Sequence, residues 1–159
     1  MIDRPVGDVL KNIGNPEIVA VAATVTVADA VKTMNDQGLG SVLIRDSRGG
    51  IGGIFTERDL MRRVVGQGRD AKATAIASVM TPNPRHVPAT ESVVEVMRIM
   101  LEHGYRHMLV ESSGKPVGLV SIRDLMRWMI LPDAPIAHEG RRGVVRARAE
   151  DTAQTLRKP

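Results

Sequence analysis

Apolar positions along this chain switch between helical and strand spacing in a fixed order, and the order occurs twice. Val27, Ala30, Val31 and Met34 follow the i, i+3, i+4, i+7 spacing of an amphipathic helix, and Val93, Met97, Met100 and Leu101 do much the same. Thr26 and Thr90 stand where N-caps belong. Gly38 and Gly104 stand where a left-handed residue ends a helix. Each helix is followed by a short apolar run, Ser41 to Ile44 and His107 to Val110, then a Gly-containing turn and a second run, Ile51 to Phe55 and Val117 to Val120. Two such runs joined by a turn predict a hairpin. Glu57 to Val65 and Ile122 to Ile130 then read as helices, with Leu60, Met61 and Val64, and Leu125, Met126 and Met129, facing inward. An apolar stretch, Ile18 to Ala22, precedes the first unit, and a weaker one around His86 and Val87 precedes the second.

The predicted fold is therefore α/β (α+β), two tandem β-α-β-β-α repeats. The boundaries fall at residues 6–68 and 75–131, with a basic tail over 132–159. One such unit cannot cover both faces of its small sheet, so the two should pack together as a pseudo-twofold pair. Hydrophobic residues make up 43% of the chain and aromatics only 2%, so the core must be aliphatic and methionine-rich. That scarcity counts against a platform that stacks nucleic-acid bases on rings. Without cysteine there is no disulfide framework and no thiolate chemistry, which fits a reducing compartment. No apolar run is long enough for a membrane span and the first residues are too polar for a signal peptide, so a cytoplasmic protein is expected. The net charge is +4, but residues 134–159 hold six basic and three acidic side chains, hence +3 of it. The body is nearly neutral, which argues against a nucleic-acid footprint across it.

The closing heptads GIFTERD and GLVSIRD carry the candidate chemistry. Thr56 and Ser121 stand at strand-to-helix junctions, followed by Arg58 and Asp59 and by Arg123 and Asp124. A helix N-terminus presents unpaired N–H groups to an anion, an arginine adds a charge-assisted bond, and a carboxylate suits a ribose diol. The same hydroxyl-x-x-acid spacing also describes a helix capping box. The pattern leaves both roles open, although capping alone does not ask for the arginine.

Taken together, VMTPNPRHV at the start of the second repeat, GLGSVLI and GYRHMLV after the first helices, and the two closing heptads resemble the tandem cystathionine-β-synthase (CBS) domain pair, or Bateman module. The likeness covers roughly Val6 to Leu131. It implies a regulatory sensor, not an enzyme, that binds an adenosine derivative such as AMP, ADP or ATP in clefts between the repeats, forms a homodimer and signals to a downstream protein. No cofactor beyond that regulatory nucleotide is implied. It gives Asp59 and Asp124 the role of ribose ligands and Thr56 and Ser121 a ribose or phosphate contact. It also implies composite clefts, with Asp59 sharing its site with Thr81, Pro82, Arg106 and His107, and Asp124 with Ile18, Gly40 and Ser41. Arg106 is the expected extra phosphate contact, since the other repeat has Leu39 in its place, and this makes the Asp59 site the more basic one. A solvent-exposed strand end is the plainer role for Arg106 and His107.

Other chemistries find little support. His103 and His107 are four apart, but Gly104 should end the helix between them, and His86 and His138 have no partner at ligand spacing. No phosphate-binding Gly-x-x-x-x-Gly-Lys loop and no nucleophile elbow occur. The methionines read as core filling. Trp128 is a candidate for a dimer face and Tyr105 for stacking on an adenine. The tail reads as a mobile segment, or as a basic arm for a partner.

Overall fold

The computed structural model describes residues 3–14 and 17–132. The expectation for the basic tail falls on residues outside that range. Helix α1 (Val6–Asn12) leads into the first repeat, which runs β1 (Ala20–Ala22), α2 (Val27–Gln37), β2 (Ser41–Arg45), β3 (Ile51–Thr56) and α3 (Glu57–Asp59, continued as a π-helical turn Leu60–Val64). A linker with the two-residue strand β4 (Thr81–Pro82) follows. The second repeat then runs β5 (His86–Pro88), α4 (Val93–His103), β6 (His107–Ser112), β7 (Lys115–Ser121) and α5 (Ile122–Ile130). In each repeat the first strand lies parallel to the second and the hairpin strands are antiparallel.

Helix boundaries follow local chemistry. Thr26 and Asp29 form a capping box at α2, and Gly38 and Gly104 end α2 and α4 at φ of 60° and 68°. The expected N-cap Thr90 is displaced, because the Ser92 hydroxyl accepts from the Glu95 N–H and α4 begins at Val93. The inward faces are narrower than the spacing suggested. Val96 and Ile99 fill the core where Leu101 was expected, and Leu101 is exposed. Met61 and Met126 also face solvent, while Val64, Leu125 and Trp128 are buried. Trp128 is thus a core residue, with the Arg4 guanidinium 5.8 Å from its ring centre, and Tyr105 stacks on His103 at 5.3 Å.

The core crosses the linear order of the chain. Val6, Val9 and Leu10 of α1 and Ile13 just after it are buried with the second repeat, whereas Ile76 and Val79 of the linker are buried with the first. The equivalent glycines of the closing strands receive these visitors. A Cβ on Gly118 would lie 2.6 Å from Leu10 Cδ2, and one on Gly53 would lie 2.3 Å from Met80 Sδ. A third cluster, Leu43, Ile54 and Leu109 with Ile18, Ala20, Ile51 and Leu119 against it, draws on strands of both repeats and joins the two sheets.

Leu10→Ala should therefore destabilise the whole second repeat, not only a terminal helix, by about 3 kcal/mol. Urea unfolding followed by fluorescence of Trp128, the sole tryptophan, measures it, and a loss below about 1 kcal/mol would show that α1 is a loosely attached arm.

Candidate functional site

The closing motifs are held by their own backbones before any ligand is considered. Thr56 N–H and hydroxyl both donate to Asp59 Oδ2, at 3.0 and 2.9 Å, and Asp59 N–H donates back to Thr56 Oγ1 at 3.3 Å. Ser121 and Asp124 repeat this arrangement, with N–H and hydroxyl donations at 2.8 and 2.7 Å and a return bond at 3.2 Å. Both pairs are capping boxes. Thr26 and Asp29 form a third on an exposed helix start, so the pattern by itself marks no ligand. What sets Asp59 and Asp124 apart is burial: only 8% and 5% of each is exposed.

Each closing helix is also stitched to the strand opening of its own repeat. Glu57 N–H donates to the Gly40 carbonyl at 3.1 Å, and Ile122 N–H donates to the Arg106 carbonyl at 3.0 Å. Ser41 pairs with Thr56 across one hairpin and His107 with Ser121 across the other. Gly40, not Leu39, is therefore the structural counterpart of Arg106. Leu39 corresponds to Tyr105, since their N–H groups donate to Met34 and Met100.

A cleft of about 590 Å³ opens between the repeats. Ile18, Gly40, Ser41 and Glu57 line it from the first repeat, and Arg106, His107, Ser121, Arg123 and Asp124 from the second. The grouping of Asp124 with Ile18, Gly40 and Ser41 is present in it. Arg106 and His107 stand in this cleft as well, although the sequence assigned them to Asp59. The cause is the hairpin register, which ties the β6 opening to Ser121 and Ile122. With them goes the reason for ranking the Asp59 side as the more basic. Thr81 and Pro82 pair with Ile54 and Gly53 as an extra strand on the first sheet.

The Asp59 side is engaged by its own chain. Arg63 Nε lies 3.4 Å from Asp59 Oδ1, and its guanidinium also donates to the carbonyls of Val79 and Met80 at 3.2 and 2.8 Å. Arg58 donates to the Gly104 carbonyl at 3.0 Å. The second repeat has Trp128 where the first has Arg63, and Arg123 has no anchor like that of Arg58 among the described residues. Sequence reasoning passed over Arg63, although an arginine four residues after an acid on one helix is a readable signal.

His107 brings an unusual group to the cleft. Its Nδ1 is buried with no hydrogen-bond partner. Burial pushes its pKa below the usual histidine value; the Asp124 carboxylate opposes that shift and the Arg106 guanidinium adds to it. The ring is therefore neutral at pH 7. Among the described residues no cluster of three or more His, Cys, Asp or Glu side chains could hold a metal, and no helix is long and apolar enough to cross a membrane.

Linkage gives the histidine a testable sign. Its folded pKa lies below its unfolded value near 6.5, so its contribution to stability is intact above that value and is lost as pH falls through it. Wild-type protein should lose melting temperature relative to His107→Gln between about pH 7.5 and 5.5, as followed by thermal unfolding across that range. A constant difference would mean that the ring charges freely in the folded state.

Comparison with known proteins places this geometry. The CBS domain model matches residues 6–66 and 76–131. A solved structure of a protein with CBS domains from Burkholderia ambifaria superposes with a TM-score of 0.76 at 38% identity, covering 84% of this chain and 98% of that one. A second, from Agrobacterium tumefaciens, gives 0.73 at 32% identity and covers 78% and 92%. A 17.7 kDa protein of Acidianus ambivalens is 34% identical over 122 residues, which is 76% of this chain and 73% of that protein. Two matched repeats, two hairpin sheets and one shared cleft lead to a single assignment: the chain belongs to the CBS-domain family, as a tandem CBS pair.

Proposed function

We propose that this protein is a regulatory sensor that holds one adenosine nucleotide per chain in the Asp124 cleft and reports its occupancy to a protein partner. CBS pairs are in general regulatory, nucleotide-sensing modules, and that supports the class of function. The observation that carries the choice of site is the cleft itself. It is lined by both repeats, is large enough for a nucleoside, and gathers two arginines with a buried carboxylate at the start of α5. In this reading Asp124 accepts from the ribose hydroxyls and Ser121 contacts ribose or phosphate. Arg106 and Arg123 meet the phosphate at the Gly40 side of the cleft, and the backbone of Ile18 and Ser41 frames the base. Thr56, Arg58, Asp59, Thr81 and Pro82 form the mirror half, where Arg63 and the Gly104 carbonyl already occupy the charged groups. The chain acts by binding, with no catalytic step. Ligand would favour one arrangement of the repeats over another, a population shift.

A homodimer is part of the same proposal. Met61 on the first closing helix and Val65 just after it are 60% and 69% exposed, and Met126 and Ile130, at the matching positions of α5, are 49% and 73% exposed. Matching apolar stripes on two related helices suit a self-complementary partner. The same stripes favour a second reading, a module that acts through its dimer surface with empty clefts.

Thermal-shift and calorimetric titration with AMP, ADP and ATP separates the two. A bound nucleotide at about 100 times its Kd should add about 2.7 kcal/mol of stability, with one site per chain. Asp124→Ala should abolish the effect and Asp59→Ala should leave most of it. No shift with any of the three nucleotides leaves the interaction module as the function. For the dimer, Met126→Asp combined with Ile130→Lys should give a monomer by light scattering, and an unchanged mass would place the contact elsewhere.

A further inference from the structure

The cleft has an acidic side that the sugar–phosphate motif does not use. Glu57 opens α3 of the first repeat, yet its side chain borders the Asp124 cleft of the second. A Cβ built on Gly40 would lie 3.4 Å from Glu57 Oε2, so the carboxylate stands over the strand opening that frames the site. Among the described residues its side chain makes no ion pair or hydrogen bond. Its counterpart in the second repeat is Ile122, so the acid is particular to this cleft. The lining holds two guanidinium groups, Arg106 and Arg123, and three carboxylates, Glu17, Glu57 and Asp124, with His107 neutral. Such a cleft is not a polyphosphate funnel. Among the described residues the lining has no excess of basic groups to offset a triphosphate.

We infer that Glu57 makes the Asp124 cleft selective for a nucleoside monophosphate over a nucleoside triphosphate. This rests on the nucleotide reading given above and narrows it to one ligand class. A free triphosphate carries about two more negative charges than a monophosphate. Each negative charge held about 6 Å from a carboxylate in water loses about threefold in affinity. The two added charges together therefore cost about tenfold. Asp124 contributes to both ligands alike through the ribose. The discrimination comes from Glu57, which touches neither sugar nor base in this arrangement but stands where added phosphates would crowd it.

Isothermal titration of the intact protein with AMP and with ATP, in EDTA and about 50 mM salt, tests the inference. The wild-type protein should bind AMP about tenfold more tightly than ATP, and the gap should shrink at about 1 M salt. Glu57→Gln should bring the two affinities within about threefold of each other, and Glu57→Lys should reverse their order. The Glu57 side chain is exposed, so both variants should keep the melting behaviour of the wild type. ATP binding as tightly as AMP to the wild type, or a gap unchanged in Glu57→Gln, overturns the selectivity. If neither nucleotide binds the wild type, the nucleotide reading itself fails, a result distinct from loss of selectivity alone.

Discussion

One backbone hydrogen bond in each repeat governs where the chemistry of this protein sits. The first N–H of the closing helix donates to the carbonyl of the strand opening, Glu57 to Gly40 and Ile122 to Arg106. A helix start must find partners for its orphan N–H groups. By taking one from the opening of the second strand, each repeat brings its capping box and that opening to one edge. Everything polar in the cleft follows from this: Ser121 beside His107, Asp124 behind them, and Arg106 and Arg123 at the rim. The sheet-joining cluster of Leu43, Ile54 and Leu109 then brings the two repeats together with an opening of each facing the same space.

A pseudo-twofold scaffold does not force equal halves. The two repeats share their capping boxes almost atom for atom, yet three positions separate them. Arg63 corresponds to Trp128, Glu57 to Ile122 and Gly40 to Arg106. In the first half an arginine four residues along the helix ties the buried acid to the linker carbonyls. In the second half the matching position is a tryptophan buried in the core under α1. Arg63 ties Asp59 into the fold, whereas no such bridge from that position can reach Asp124. Breaking a paired, nearly buried carboxylate is costly, so the Asp59 side is a poor place to admit a ligand that needs the same oxygens.

Much of the fold was legible because the period was strong. Two helices ending in left-handed glycines, two hairpins and two hydroxyl-x-x-acid junctions recur in register, and each repeat has the predicted order of elements. What escaped depended on packing across the chain. Helix α1 is short and holds a glycine, and its partners lie more than one repeat away at Val87, Val93 and Val120. Apolar spacing on the closing helices could not tell a core stripe from an exposed one, so Met61 and Met126 were read as inward. The site was half legible for the same reason. The hydroxyl, arginine and acid of each junction can be read from the sequence, but which acid shares its cleft with Arg106 and His107 is decided by the β6–β7 register, which pairs His107 with Ser121.

Helix α5 joins the proposed site to the proposed interface. It begins at Ser121 and Asp124 in the cleft, carries Leu125 and Trp128 into the core, and ends at Ile130 and Leu131, 73% and 50% exposed. Nine residues of α-helix make a rod of about 13 Å, and a rod that short moves as a unit. A ligand drawn onto Asp124 competes for the carboxylate that Ser121 N–H and hydroxyl already share, so binding acts on the end of α5 that the capping box holds. Trp128, packed beneath α1 and beside Arg4, would then serve as the pivot. A tilt about it displaces Met126 and Ile130, the same stripe that a second copy would cover. In the proposed function, sensing and assembly would share one helix, and no separate relay would be required.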